Sequence, residues 1–389
     1  MFVFYIILIS TTVISAFGYY LRINSSRVVP FGPNDIEHQK YQKSIPLFFA
    51  LLSFAVMVFF ISYRSNYGDT WLYVLEFQKA SSDLSDIKPI IDSDSKSKGF
   101  DILQIIFKHF ISKDYTIWFT FLAIISTGAI IKLYYQHSIN FAMSAFLFVA
   151  SGSFTWMMNG VRQFLAVCLI MYGFNYVLKR KTIRFLLLVL LAATIHQTAL
   201  FWIPLYFIVR LKPWSKGIWF CIIATLLIIF GIDQFTDFLD ASFEGTENEG
   251  VGSALLNYGM EDGAIDDGVN FIRVLISAVP PIIAFVRKKA VDEQHDYVID
   301  ICINMSVVAT GVYLVGTVTS GILVGRMPIY FMLPDYILLP WLLNKTFEGK
   351  TRTFIKIACY VLYFAYFYYS FAMQGAGFYG SEKLNLFYY

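Results

Sequence analysis

Charged residues are scarce in this chain of 389 residues, since they make up 15% of it while hydrophobic residues make up 57%. A soluble globular domain carries about 25% charged residues and roughly 45–50% apolar ones. The shortage of charge excludes an ordinary soluble protein. A helix needs roughly 20 residues to cross a bilayer. Apolar runs of about this length recur along the whole chain. We therefore expect an all-α, polytopic integral membrane protein.

Cysteine is also rare, and its four positions all fall inside apolar segments: Cys168, Cys221, Cys302 and Cys359. Cysteines in such surroundings behave as small hydrophobic residues. The cysteines show no spacing typical of metal ligands. We expect neither a metal site nor a cofactor. The first apolar run, at residues 2–21, lacks a basic N-terminal region and an obvious small-residue cleavage site, so we expect it to be retained as a helix.

We expect about twelve membrane-spanning helices in a single membrane domain over residues 1–389. If the N-terminus lies outside, every inner loop carries Lys or Arg in it or at its edge, as the positive-inside rule requires. Both termini then lie on the outer side of the membrane. The approximate limits of the predicted spans are 2–21, 45–63, 116–135, 141–157, 161–178, 184–196, 198–209, 217–232, 269–286, 297–318, 327–343 and 354–373.

Two outer segments follow from this orientation. The stretch 233–268 contains many Asp and Glu residues and no Lys or Arg, so we expect an acidic outer loop after the eighth helix. The segment 64–115 forms a large outer loop after the second helix. Within it, apolar residues from Phe100 to Phe110 recur at helical spacing, which predicts an amphipathic helix lying at the membrane interface.

The stretch 184–209 is too short for two full crossings, although both of its flanks are basic. One helix across it would place a basic flank outside. Two short helices that turn at His196–Gln197 keep both flanks inside. A helix of about 12 residues rises only about 18 Å, so the turn is expected to lie in a cavity below the outer surface, where non-helical backbone is tolerated.

Five ionisable residues then fall in the outer half of the membrane: Arg64, Asp69, Arg162, His196 and Arg326. Ionisable groups at membrane depth are costly and often mark a functional site. Guanidinium groups form paired hydrogen bonds to phosphate oxygens, so several arginines suit a pyrophosphate. Simpler explanations stay open. An arginine at a helix end can extend to the interface, His196 can serve the turn, and Asp69 can cap the helix that begins near Thr70.

Four segments carry a family resemblance, and they occur in the family's order over roughly residues 45–335. The chain resembles the EpsG family of Wzy-type bacterial polysaccharide polymerases, which act on O-antigen, capsule or exopolysaccharide. In this chain, Gly68 directly precedes Asp69, which shifts the family's usual spacing by one. Many members also carry an acid just before Gly99-Phe100, where this chain has Ser97 and Lys98. The segments are Tyr63–Tyr73, Met158–Ala166 with Asn-x-x-Arg-Gln, Ile195–Leu200, and Gly325–Phe331 with Arg-x-x-x-Tyr-Phe.

The resemblance implies a glycosyltransferase that moves a growing glycan from undecaprenyl pyrophosphate to the hydroxyl of an incoming lipid-linked repeat unit. It implies as partners the lipid-linked oligosaccharide, the bilayer, a flippase and a chain-length regulator, and no nucleic acid. Arg162, Arg326 and Arg64 are expected to bind the pyrophosphate. His196 is expected to be the general base, with Asp69 as the second choice. The expected supporting residues are Asn159, Gln163, Tyr73 and Tyr330.

Other functions are compatible with some of these sequence features. A transporter or flippase of lipid-linked glycans would show repeats and paired discontinuous helices, and no convincing repeat is present. A membrane O-acyltransferase would use a histidine deep in an apolar helix, which His196 matches weakly. An O-antigen ligase shares the proposed chemistry, so it stays open at this point.

Overall fold

A computed structural model describes residues 1–25, 44–243, 250–257, 268–321, 323–373, 378–384 and 386–387. Apart from two short strands, the regular structure in these ranges is helical. The chain was expected to form one membrane domain, and its described residues pack as two compact units. The first unit lies within Met1–Ile203 and Glu348–Tyr389, and the second within Pro204–Phe347.

The first unit contains most of the helices and both strands. Three 3₁₀ turns, at Leu84–Asp86, Ser153–Met157 and Gln197–Phe201, and a π turn at Tyr369–Met373 interrupt or extend them. Helix α11 begins at the end of this unit and continues into the second. The elements are α1 (Phe2–Ser25), α2 (Leu47–Ser62), α3 (Thr70–Lys79), α4 (Ile87–Asp92), α5 (Lys98–Phe110), α6 (Tyr115–His137), α7 (Phe141–Ala150), α8 (Val161–Tyr172), α9 (Phe174–Leu178), α10 (Thr182–Ile195), α11 (Trp202–Ile208), α20 (Gly349–Tyr368), β1 (Gly380–Ser381) and β2 (Leu386–Phe387).

The second unit is helical throughout its described residues. Helix α17 is its centre and packs against α12, α15, α18 and α19. The buried amide of Asn304 on α17 donates to the carbonyl oxygens of Val209 and Leu211, which fixes the chain just after α11. The helices are α12 (Lys216–Phe230), α13 (Ile232–Phe243), α14 (Val251–Asn257), α15 (Phe271–Val286), α16 (Lys288–Asp292), α17 (Tyr297–Val315), α18 (Ile329–Met332) and α19 (Asp335–Lys345).

Short polar side chains start several helices. Asp114, Asn140, Asn270 and Asp296 each accept a hydrogen bond from a backbone N–H in the first turn of α6, α7, α15 and α17. Caps of this kind contribute about 1 kcal/mol each, because they satisfy backbone donors that lack a partner inside the helix. The starts of these helices are therefore encoded locally in the sequence.

The chain is a membrane protein with several apolar helices. Among the described residues, four helices are long and apolar enough to cross a bilayer, at Phe2–Arg22, Tyr115–His137, Tyr297–Val315 and Gly349–Met373. A fifth candidate is the pair α12 and α13, which bends by 96° at Gly231. Every predicted span coincides with a helical segment, although six apolar helices have only 10–17 residues. The number of twelve crossings stays a prediction, since roughly 20 residues are needed for each.

Both predicted outer segments differ in detail from the expectation. The amphipathic helix is present as α5, and its Phe100 and Phe107 pack against Trp118 of α6, so part of its apolar face is covered by the protein. The acidic segment 233–268 begins as a helix, α13, instead of a loop. Most of its acidic residues, at positions 244–249 and 261–267, lie outside the described residues.

Candidate functional site

Arg64 follows α2 directly and is buried, with 1% of its surface exposed. Its Nη1 donates to the carbonyl oxygen of Ile61 at 2.5 Å, and its Nε donates to Thr70 Oγ1 at 3.1 Å. The guanidinium lies 3.9 Å from the ring centre of Phe119. Burial lowers the pKa of Arg64 to about 9, so it stays charged at neutral pH. This placement differs from the expected direct contact with pyrophosphate, because the protein encloses the guanidinium.

Arg162 is the second residue of α8 and is partly exposed. Gly160 precedes the helix with a φ of +80°, a conformation that favours glycine. The Nη2 of Arg162 lies 2.5 Å from Glu76 Oε2, and Nη1 donates to Ser97 Oγ at 3.1 Å. The side chains of Arg162 and Glu76 are 26% and 30% exposed. Arg162 therefore combines partial exposure to solvent with a carboxylate partner from another helix.

Two aromatic rings line the Arg162 guanidinium. The ring centre of Phe100 lies 5.2 Å from its central carbon, and that of Tyr73 lies 5.9 Å away. Burial raises the pKa of Tyr73, and the charge of Arg162 offsets part of this increase. Since the ordinary tyrosine pKa is about 10, the Tyr73 hydroxyl is protonated at neutral pH and is able to donate a hydrogen bond.

Asp69 is half-buried near Tyr73. It stands at the start of α3, yet its side chain makes no capping hydrogen bond to that helix. The helix cap that the sequence allowed is therefore not formed. Asp69, Tyr73 and Glu76 are spaced four and three residues apart, which places them on one face of the helix. Sequence reasoning missed Glu76, and this spacing is the signal that points to it.

Two of the resembling segments pack directly against each other. Gly68 has a φ of +48°, and a Cβ atom added there would lie 2.8 Å from Asn159 Cγ. The Asn159 Oδ1 atom is buried and has no hydrogen-bond partner among the described residues. Gln163, one residue beyond Arg162, is buried. The close contact between Gly68 and Asn159 brings Asp69 and Arg162 into one cluster.

His196 ends α10 in an extended conformation, and the chain turns there as the sequence predicted. Trp202 packs edge to face on Phe185, with ring centres 5.4 Å apart. A continuous helix would separate these two residues by roughly 25 Å, so the chain folds back. His196 is half-buried, and its Nδ1 lies 2.6 Å from Thr198 Oγ1, a contact that orients the imidazole ring.

The start of α5 connects Arg162 with this turn. Ser97 accepts the hydrogen bond from Arg162. Two residues later, Gly99 lies so close to Thr194 that any side chain at position 99 would overlap it. Thr194 precedes His196 by two residues. Ser97 occupies the region where many family members carry an acid, and here the carboxylate beside Arg162 comes from Glu76 on α3.

The C-terminal segment 378–384 forms a strap over the loop that carries Arg64. The backbone of Gly380 pairs with Asn66 in an antiparallel bridge, and the Gly380 carbonyl also accepts a hydrogen bond from the backbone N–H of Ser65. The Tyr379 hydroxyl donates to the Phe60 carbonyl at 2.7 Å. The Ser381 hydroxyl donates to the backbone of the same loop. The loop that carries Arg64 and the C-terminal segment therefore meet in space.

Ring contacts also bring the N-terminal helix to this loop. The ring of Phe4 lies 5.7 Å from that of Tyr67 and 6.3 Å from that of Tyr379. The described parts of the two terminal segments therefore lie together beside the loop after α2. An even number of crossings would place both termini on one side of the membrane. That both termini lie outside stays a prediction.

Arg326 and Tyr330 belong to the second compact unit, whereas the residues above belong to the first. Arg326 is half-buried in the turn before α18. Gly325 packs tightly there, since an added Cβ atom would lie 2.6 Å from a methyl group of Val269. Tyr330 lies in α18 and is fully buried. The predicted role of Arg326 in binding pyrophosphate remains a prediction from the sequence.

The sequence also contains one Asp-x-Asp spacing, Asp92-Ser93-Asp94, which is typical of metal sites in enzymes that use nucleotide sugars. Both carboxylates are exposed. Within the described ranges, no three His, Cys, Asp or Glu side chains come together as metal ligands. No third ligand therefore lies beside Asp92 and Asp94 within those ranges.

Comparison with known proteins identifies one family. The model of the EpsG family matches residues 47–382, which is most of the chain. This range contains Arg64, Arg162, His196 and Arg326, and it ends within the C-terminal strap. No curated protein and no solved structure is significantly similar to the chain.

Proposed function

Because this chain belongs to the EpsG family, a family of membrane proteins in polysaccharide biosynthesis, we propose that it polymerises lipid-linked oligosaccharide repeat units. The donor is a glycan on undecaprenyl pyrophosphate, and the acceptor is the hydroxyl of an incoming lipid-linked unit. The reaction takes place on the outer face of the bacterial inner membrane. The observation that carries this proposal is the partly exposed Arg162, held where two segments that resemble the family pack against each other.

The reaction needs a cation beside the leaving group and a base for the acceptor hydroxyl. The acceptor oxygen attacks the anomeric carbon, the bond from that carbon to the pyrophosphate oxygen breaks, and the lipid pyrophosphate leaves with the electron pair. Negative charge grows on the leaving group, and a fixed cation beside it lowers the barrier. Arg162 supplies that cation. The backbone N–H groups at the start of α8 add to the attraction for an anion.

A base must take the proton of the acceptor hydroxyl. His196 is proposed for this role, because histidine titrates near neutral pH and Thr198 orients its ring. Asp69 is the second choice, since it is half-buried in the Arg162 cluster and its carboxylate does not cap α3. Arg64 is assigned to support of the loop, because the protein encloses its guanidinium and two of its donors, Nη1 and Nε, bind Ile61 and Thr70.

The experiment is replacement of Arg162 by Ala in cells that make the polysaccharide. We expect single repeat units to accumulate on the lipid carrier and long chains to disappear. Arg184→Ala is the matched control, because Arg184 is an exposed arginine in the first turn of α10 and should not affect chain length. Accumulation of unflipped units on the inner face would support a transporter instead.

Arg326→Ala tests the remaining prediction from the sequence in the same assay. Loss of long chains with single units retained on the carrier would support a second pyrophosphate-binding arginine. Normal chains would remove Arg326 from the site.

A further inference from the structure

Glu76 occupies the position beside Arg162 where an anionic substrate is proposed to bind. Its carboxylate lies 2.5 Å from Arg162 Nη2, and both side chains are between one quarter and one third exposed. The start of α8 attracts negative charge at the same point. The protein therefore places its own anion at the cation of the site.

The remaining surroundings of Arg162 hold the guanidinium in place without neutralising it. Ser97 accepts one hydrogen bond through a neutral hydroxyl, and the rings of Tyr73 and Phe100 line the group. The Nε atom is buried and has no hydrogen-bond partner among the described residues. Within this cluster, Glu76 is the contact that a second anion can replace.

A pyrophosphate and a carboxylate compete for the same guanidinium, because two anions at one cation repel each other. Exchange is easy where the resident pair is open to water, since exposed ion pairs contribute little to stability. Arg162 can keep its hydrogen bond to Ser97 during the exchange. The aromatic contacts with Tyr73 and Phe100 can also stay in place.

We propose that Glu76 is an exchangeable counter-ion of Arg162. This proposal rests on the proposed function, because it takes the pyrophosphate of the lipid carrier as the competing anion. The pyrophosphate displaces Glu76 when the lipid-linked donor binds. After transfer, the carboxylate returns to Arg162 and helps to release the lipid pyrophosphate.

Binding of inorganic pyrophosphate to the purified full-length protein in detergent tests this exchange by titration calorimetry. Glu76→Gln keeps the size of the side chain and removes its charge, so it should bind pyrophosphate about two- to fivefold more tightly than wild type, as loss of a weak competing pair allows. Glu76→Asp keeps the charge and should bind with nearly wild-type affinity. Glu348→Gln, at an exposed acid before α20, is the matched control and should change nothing.

Turnover supplies a second readout. Glu76→Gln should lower KM and kcat together, because both the donor and the product pyrophosphate are held longer. A merely structural role for Glu76 would lower kcat without tighter binding. Equal effects of Glu76→Gln and Glu76→Asp would show that packing and not charge matters, which contradicts the proposal.

The outcomes separate this inference from the proposed function. Suppose that Glu76→Gln leaves pyrophosphate affinity unchanged while Arg162→Ala abolishes binding and polymerisation. The proposed exchange of Glu76 is then wrong, and the proposed polymerase function is supported. If Arg162→Ala keeps both pyrophosphate binding and long chains, the proposed function at this site is wrong, and the exchange fails with it.

Discussion

Arg64 and Arg162 show how one residue type serves two purposes in the same unit. Arg64 is enclosed, and it joins the end of α2 to the start of α3 through Ile61 and Thr70. Arg162 is open to water and paired with Glu76. Both were expected to bind pyrophosphate because sequence pattern gives the depth of a residue in the membrane but not its exposure.

The two arginines should therefore separate stability from activity. Arg64→Ala should lower the free energy of unfolding by roughly 2–4 kcal/mol, because it removes charged hydrogen bonds and leaves buried groups without partners. Arg162→Ala should cost less than about 1 kcal/mol, since its ion pair is partly exposed. Denaturant titration of the purified protein in detergent measures both. A larger loss for Arg162→Ala than for Arg64→Ala would contradict these assignments.

The starts and ends of elements decide where the functional side chains point. The turn at His196 was predictable, because the basic flanks and the short length of the segment left room for little else. The contact between Glu76 and Arg162 was not, since it joins residues 86 positions apart on different helices. Helical periodicity in the sequence gives the face of α3 on which Glu76 lies. It does not give the helix that packs against that face.

Helix α8 gives a test at the scale of an element. Gly160→Ala should lower stability by about 1–2 kcal/mol and reduce polymerisation, because its φ of +80° disfavours a side chain. An added Cβ atom would also lie 2.9 Å from the Trp156 ring. Thermal unfolding and chain-length analysis measure the two effects.

Gly250→Ala is the matched control for this change. Gly250 has a φ of +76° and no atom within 4 Å of an added Cβ atom among the described residues. It therefore carries the backbone strain without the steric contact, and polymerisation should persist. Full activity of Gly160→Ala would show that the position of α8 does not matter for the reaction.

At the scale of the molecule, chain ends that are distant in sequence meet at the candidate site. Apolar runs were enough to predict a helical membrane protein, although the predicted spans 161–178 and 327–343 are each divided into two shorter helices. The strap was not predictable. It depends on backbone hydrogen bonds between residues 65–66 and Gly380, and such bonds leave no mark in side-chain pattern.

The strap should be needed for activity although it carries none of the proposed catalytic groups. A chain that ends before Phe378 loses the hydrogen bonds to Ser65 and Asn66, so it should unfold at lower temperature and should not make long chains. Lys383→Ala removes the exposed ion pair with Asp114, which contributes less than about 1 kcal/mol, and it should behave like wild type. Normal activity of the shortened chain would show that the strap is dispensable.

The most direct test of the central claim is elongation by the purified protein in lipid vesicles that contain undecaprenyl-pyrophosphate-linked repeat units. Wild type and Arg184→Ala should release lipid pyrophosphate and produce long lipid-linked chains. Arg162→Ala should leave the units single while it keeps the fold. Elongation by Arg162→Ala to wild-type length would contradict the account.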